Sequence, residues 1–356
     1  MADKLRVGII GVGGIANGKH MPNYAKLDNV EMVAFCDLIE ERAAEGAKRY
    51  GTPDAKVFTD YRRLLEMKDV DAVSVCTTND AHAEISIAAM EAGKHVLCEK
   101  PMAKDAEGAR KMLETARRTG MKLSIGYQNR FRPETQYLKK LIENGELGEI
   151  YYARAIALRR RGVPTWGQFL SMEKQGGGPL IDIATHALDM TLWLMDNYKP
   201  VSVTGAAFHK LGKMKNAANI WGPWDPDKFE VEDSAFGFVK FENGAVVSVE
   251  SSWALNMVTK GESDNSCILC GTKAGAEILE GLTLNGEKFG ELYTWQPSLK
   301  RLPDRSYLEI KEWVDHITND GPLTVKPEQA YVVSVILDAI YQSSRTGKEV
   351  YVNVDI

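Results

Sequence analysis

The stretch Leu5 to Ala16, LRVGIIGVGGIA, decides the fold. An apolar run from Leu5 to Ile10 meets Gly11, Gly13 and Gly14, and a helix-forming segment follows. This reads as a buried strand, a tight turn and a helix start, with Gly11, Gly13 and Ala16 in the pattern G-x-G-x-x-A. Gly11 can take the backbone angles of the turn. Gly13 lets a pyrophosphate approach the backbone, and Ala16 lets the helix pack closely on the strand. The helix start offers free N–H groups and partial positive charge to phosphates. A second apolar run, VEMVAFCD, ends in Asp37, 21 residues after Ala16. That spacing suits a carboxylate that binds a ribose.

Composition narrows the class. The chain has 356 residues, enough for two domains, with 44% hydrophobic and 26% charged residues. A net charge of −5 leaves no basic footprint for nucleic acid. No apolar run is long enough for a membrane span, and no signal-peptide-like apolar region precedes the first strand, so a cytoplasmic protein is expected. Cys36, Cys76 and Cys98 fall in apolar strands, which points to reduced core thiols. Cys267 and Cys270 sit three apart in a strand-like run, on opposite faces, which disfavours a metal or redox pair.

Reading onward, strand and helix patterns alternate. Helices are expected over residues 15–27, 40–50, 61–67, 81–92 and 105–118, with strands at 30–36, 56–58, 71–76, 94–98 and 122–126. This is the pattern of a doubly wound parallel sheet, whose ligands bind beyond the carboxyl ends of the strands. Asp37, Thr77, Thr78, Asn79, Glu99, Lys100 and Gln128 fall at those ends and join Gly11, Gly13, Gly14, Ile15 and Ala16 as candidate cofactor contacts. His82, in the polar tract after the fourth strand, is a further candidate that could equally just begin a helix. From about residue 150 the pattern changes to alternating strands at 150–159, 201–208, 234–241, 245–253 and 266–270, with an Asn243-Gly244 hairpin signal. Helices are expected at 179–195, 306–319 and 327–346. The expected division is a dinucleotide-binding domain over 1–127 and an α+β domain with a mostly antiparallel open sheet over 128–356. The last helix could pack back on the first domain.

Two places carry candidate chemistry. Lys100 lies between Glu99 and Pro101, where the proline turns the chain at the crevice. Its ammonium could serve the reaction or simply pair with Glu99. His186 follows the glycine run of GGGPLIDIATH. Asp182 is four residues before it and Asp189 three after, on one helical face. A histidine with a carboxylate one turn away suits a general acid or base near neutral pH. No third ligand is spaced to make these residues a metal site. Arg159, Arg160 and Arg161 read either as a solvated strand end or, with Trp166, as a substrate mouth.

Taken together, GVGGIA with His20, Asp37, CTTNDAH (76–82), EAGKHVLCEKP (91–101), GYQNRFRP (126–133) and GGGPLIDIATHALDMTLWLM (176–195) resemble the glucose–fructose oxidoreductase / inositol dehydrogenase family (Gfo/Idh/MocA). The resemblance implies a Rossmann domain, an α/β domain whose open sheet often forms an oligomer interface, and NAD(P)-dependent redox chemistry on sugars, cyclitols or related polyols. It implies that Lys100, Asp182 and His186 line the substrate site. The expected activity is reversible oxidation of a ring secondary hydroxyl of a sugar, glycoside or cyclitol, with C3 of a glucoside favoured. Lys100, Asp182, His186, Arg159 and Trp166 are the candidate substrate contacts. A redox-neutral NAD-dependent glycosidase and a non-catalytic NAD-binding sensor are the alternatives. Asp37, followed by Leu38 and Ile39 with no base, favours NAD over NADP. A homo-oligomer, dimer or tetramer, is expected, with no metal, nucleic-acid or membrane partner.

Overall fold

The computed structural model describes residues 4–258 and 264–354. The chain forms two compact units. The first runs through Phe131 and regains the chain at Leu302–Tyr331; the second holds Arg132–Arg301 and the chain from Val332. Residues 302–331 thus belong with the first unit, not with the 128–356 domain expected from sequence.

The first unit is built on six parallel strands, β1 (Leu5–Ile10), β2 (Val30–Cys36), β3 (Lys56–Phe58), β4 (Ala72–Val75), β5 (His95–Cys98) and β6 (Leu123–Ile125). Their order is β3-β2-β1-β4-β5-β6, which reverses direction between β1 and β4. Near-continuous burial of β1, β4 and β6 is what a parallel sheet covered on both faces requires, while the edge strand β3 is open to solvent. The helices stand close to their expected bounds, at Glu40–Tyr50, Tyr61–Leu65, Asn79–Glu91 and Ala106–Thr119. Asp60 and Asp105 cap two of them, accepting from Arg62 N–H and Gly108 N–H. Expected as one helix over 15–27, the first connection instead passes through a π-helix, Ala16–His20, before a short α-helix, Met21–Tyr24. The helix Arg305–Asn319 returns to this unit because Ile310, Trp313 and Val314 are buried in one core with Val7, Ile9, Ala16, Tyr24 and Phe35.

A nine-stranded sheet organises the second unit. Its strands are β7 (Ile150–Leu158), β8 (Pro200–Phe208), β9 (Ser234–Phe241), β10 (Val246–Ser252), β11 (Ser266–Gly271), β12 (Ala274–Leu279), β13 (Gly281–Lys288), β14 (Glu291–Trp295) and β15 (Val350–Tyr351). The order is β14-β13-β12-β11-β7-β10-β9-β8-β15, and every pair is antiparallel except β7 with β10. β12 to β14 and a helix at Pro133–Glu143 were not foreseen from the sequence. The hairpin between β9 and β10 turns at Asn243-Gly244 as expected, with Gly244 at φ +85°. Gly205 of β8 and Gly237 of β9 are register partners, and a Cβ on either would press on Ile340, at 2.7 and 2.5 Å. This glycine pair lets the helix Pro327–Thr346 lie close on the sheet. The expected helix over 179–195 again opens as a π-helix, Leu180–Ala184, and continues as the α-helix Thr185–Met195.

All five cysteines are free, and Cys267 and Cys270 differ in burial as opposite strand faces require. Among the described residues, no helix is long and apolar enough to cross a membrane.

Candidate functional site

In the first unit the expected cofactor residues gather at one edge of the sheet. Gly11 follows β1, Asp37 follows β2, Thr77 to Asn79 follow β4, Glu99 and Lys100 follow β5, and Gln128 follows β6. Gly11 takes φ +86°, and a Cβ there would fall 2.6 Å from the Cys76 carbonyl oxygen, so only glycine fits. Around Gly13 and Gly14 there is open space instead: a Cβ on either would meet nothing within 4 Å. Ala16 is fully buried against the sheet, while Ile15 is exposed. The Asn17 side-chain amide donates to the carbonyls of Val12 (3.0 Å) and Gly13 (2.9 Å) and holds the turn. Asp37 accepts from Val12 N–H (2.8 Å) and Ile39 N–H (2.9 Å). A carboxylate has about four acceptor positions, so both oxygens can still accept ribose hydroxyls. Leu38 beside it is 91% exposed. An open glycine strip at a helix start, with a carboxylate at the end of the next strand, fits a dinucleotide whose ribose lacks a 2′-phosphate.

Behind this edge lies a buried ionic network. Lys19 Nζ lies 2.7 Å from both Glu99 Oε1 and Glu309 Oε2, and 3.3 Å from Gln128 Oε1. His20 Nε2 is 2.9 Å from Glu99 Oε1, and its Nδ1 is 3.1 Å from Ser74 Oγ, which in turn meets Tyr24 Oη at 2.9 Å. Burial holds His20 below the usual imidazole range, so the neutral ring donates from Nε2 to Glu99 and accepts at Nδ1. Burial alone would raise the Glu99 carboxyl, but the Lys19 ammonium and the His20 hydrogen bond hold it well below the usual carboxylate range. Gly126 leaves room for the cluster; its Cβ would stand 2.9 Å from Glu99 Oε1. The other Glu99 oxygen accepts the Lys100 backbone N–H at 3.2 Å. Glu99 therefore fixes the backbone from which Lys100 projects, just before a cis bond to Pro101.

His82, a candidate cofactor contact or simply part of a helix start, lies in the helix Asn79–Glu91 and is almost fully buried. Its Nδ1 faces the Pro101 carbonyl oxygen (2.8 Å) and its Nε2 that of Thr77 (3.2 Å). Both nitrogens face carbonyls of its own chain, and burial keeps the ring neutral, so its single N–H serves one of them, the shorter contact being to Pro101. Thr78 stands at the N-cap position of the helix Asn79–Glu91 without a side-chain bond to its amides, its hydroxyl donating instead to Asp80 Oδ1 at 2.5 Å.

In the second unit, Asp182 lies in the π-helix and His186 in the first turn of the α-helix that continues it. Both are buried. Asp182 Oδ2 accepts from the Trp253 indole N–H at 3.2 Å. The glycine run before them is set by contact. A Cβ on Gly177 would fall 2.0 Å from Tyr341 Oη, and one on Gly178 2.2 Å from the Glu232 carbonyl oxygen. The buried Glu232 carboxylate accepts from Gly178 N–H (2.8 Å), Leu180 N–H (3.1 Å) and Tyr341 O–H (2.8 Å). It satisfies the amides that start the helix carrying Asp182 and His186.

The arginine run divides. Arg159 forks the Asp264 carboxylate, with Nε at 2.7 Å from Oδ1, and its guanidinium lies 4.9 Å from the Trp221 ring centroid. Arg161 is bound to the carbonyls of Arg160 (2.7 Å) and Leu255 (3.1 Å) and to Asn256 Oδ1 (2.5 Å). Trp166 is exposed and packs edge-on against Trp221 at 4.9 Å and Phe169 at 6.1 Å. Arg159, Trp166 and Asp182 thus belong to one aromatic-lined neighbourhood, through Phe169 and Trp253. Lys19, Glu309, Glu232, Trp221 and Trp253 were missed from sequence. Only Lys19 carried a signal, its place beside His20.

Comparison with known proteins agrees with this geometry. Residues 5–127 match the GFO_IDH_MocA description "Oxidoreductase family, NAD-binding Rossmann fold", and residues 139–354 match its "C-terminal alpha/beta domain". The chain is 39% identical over 346 residues to the D-glucoside 3-dehydrogenase of Escherichia coli (strain K12), covering 97% of each protein. It is 31% identical to the levoglucosan dehydrogenase of Pseudarthrobacter phenanthrenivorans over 271 residues, 70% of this chain and 67% of that protein. Among solved structures, levoglucosan dehydrogenase in complex with NADH and levoglucosan is similar at 25% identity and a TM-score of 0.82, covering 98% of this chain and 99% of that one. With an NAD-binding Rossmann unit and an α/β unit matched along nearly its whole length, this chain belongs to the Gfo/Idh/MocA oxidoreductase family.

Proposed function

We propose that this protein oxidises a ring secondary hydroxyl of a sugar, glycoside or cyclitol with NAD, and foremost the C3 hydroxyl of a glucoside. The reading is carried by the 39% identity to a D-glucoside 3-dehydrogenase across 97% of both proteins. Bound NAD supplies the hydride acceptor. The open strip at Gly13 and Gly14 receives the pyrophosphate and Asp37 the adenosine ribose, while Thr77, Thr78, Asn79, Glu99 and Gln128 shape the rest of the cleft. His186 takes the hydroxyl proton on a ring nitrogen as general base. Lys100 hydrogen-bonds the same oxygen and stabilises the negative charge that develops on it. Asp182, steadied by the Trp253 indole, orients the sugar. The reading takes the protein as a cytoplasmic homo-oligomer. The buried free thiols of Cys36, Cys76 and Cys98 support a reducing compartment.

The test is product analysis with purified protein and NAD⁺ against glucosides, free hexoses and inositols, following NADH absorbance and carbonyl product together. One substrate class should give a keto product with stoichiometric NADH. Release of free aglycone with NAD acting catalytically would move the reading to the glycosidase. NAD binding with no turnover across the panel would favour the sensor. Lys100→Met and His186→Ala should each cut turnover about 10²- to 10⁴-fold while NADH binding persists. Near-normal turnover of His186→Ala across a pH series sinks the base assignment.

A further inference from the structure

Trp166 and Trp221 are 52% and 40% exposed, yet they are held as a pair, with ring centroids 4.9 Å apart and planes at 76°. The two loops that carry them are stitched together. Asn219 Oδ1 accepts from Val163 N–H (2.9 Å), and its amide donates to the carbonyls of Val163 (2.9 Å) and Gly222 (2.8 Å). The Thr165 hydroxyl donates to the Trp221 carbonyl at 3.1 Å. The Arg159 guanidinium lies over the Trp221 ring and is neutralised by Asp264. The result is a braced, polarisable platform whose stacked guanidinium is already paired.

The platform also has a direction. Trp166 touches Phe169 at 6.1 Å, Phe169 touches Trp253 at 6.4 Å, and the Trp253 indole N–H reaches Asp182. An aromatic path thus runs from the exposed pair through Phe169 to the ring that holds Asp182. We propose that Trp166 and Trp221 form a subsite for the aglycone of a glycoside, and that the aglycone it takes is an uncharged aryl ring. This rests on the reading of the protein as a glycoside dehydrogenase. Exposed indoles offer large apolar faces at low entropic cost, and stacked aromatic pairs gain energy beyond area burial. The neutralised Arg159 gives no reason to favour a phosphorylated or acidic aglycone.

The experiment compares kcat/KM for phenyl and methyl glucosides of the same anomeric configuration, with NAD⁺, in the unaltered protein and in Trp221→Ala and Trp221→Phe. The phenyl glucoside should be preferred about tenfold. Trp221→Ala should bring that ratio close to one, and Trp221→Phe should keep much of it. If both glucosides are oxidised at equal efficiency by the unaltered protein, the subsite is overturned and the dehydrogenase reading stands. A ratio unchanged in folded Trp221→Ala, or in Trp221→Phe should the alanine variant not fold, overturns it as well. So does a Trp221 variant that keeps the ratio but changes mass in light scattering, since the pair would then face a second copy of the chain. If neither glucoside is oxidised while an inositol or free hexose is, the aglycone subsite falls alone. If nothing is oxidised, both readings fall.

Discussion

Asp37 and Lys19 show how single side chains do two tasks at once. Asp37 holds the Val12 amide of the glycine turn while leaving acceptor capacity for a ribose. Its charge also repels a 2′-phosphate, and like-charge juxtaposition costs several kcal/mol. Asp37→Asn should therefore raise the relative use of NADP by roughly tenfold or more; equal kcat/KM with both cofactors in the unaltered protein would remove the basis for this. Lys19 is buried between two carboxylates, and they hold its pKa above the usual ammonium value although burial opposes the charge. Lys19→Met should cost about 3–5 kcal/mol in urea unfolding, because it strands buried charge. The pH dependence follows from Glu99, whose pKa is depressed in the folded state. Its stabilising contribution is present above the ordinary carboxylate pKa and is lost as pH falls through the lower folded value. Acid unfolding followed by circular dichroism should show a flatter slope on the acid side in Glu99→Gln. None of the Lys19–Glu309 pairing was legible in the sequence, since 290 positions separate the partners and no local spacing relates them.

Elements were more legible than pairings. Strands and helices of the first unit fell within a few residues of expectation, because apolar runs, caps such as Asp60 and Asp105, and stops such as Gly120 are local signals. Both departures within the expected helices occur where candidate residues sit. Ala16–His20 and Leu180–Ala184 are π-helical, and the first directs Lys19 and His20 together onto Glu99. A π turn leaves no mark in periodicity, and such turns recur at functional sites. The glycine run before Pro179 serves close approach, as the contacts at Gly177 and Gly178 display. Gly178→Ala must displace the Glu232 segment, so it should lower turnover at least tenfold, in the way a 1 Å misplacement of reacting groups can cost 100-fold. NADH binding, followed by fluorescence, should stay intact, and a parallel loss of both would mean general unfolding instead. Glu232→Ala should cost about 1–3 kcal/mol, from the Gly178 and Leu180 amides left without their acceptor. β12 to β14 escaped the sequence because their exposed faces dilute the alternation, as in Glu291–Trp295.

At the scale of the whole molecule, a chain of two compact units need not unfold in one step. Calorimetry with NAD at about a hundred times its dissociation constant should stabilise the first unit by about 2.7 kcal/mol. A shift confined to the second unit's transition would put the nucleotide in the wrong place. The return of residues 302–331 to the first unit also has a meaning for synthesis. As the chain leaves the ribosome, β1 to β6 emerge long before Ile310, Trp313 and Val314, which complete their core, and before Glu309, which completes the charge around Lys19. Domains generally fold as units and the N-terminal one first. Here the nascent nucleotide-binding unit must wait, with an open apolar seam, through some 170 residues of another unit. A chain stopped near residue 300 would release that seam permanently, a natural target for chaperones and proteases.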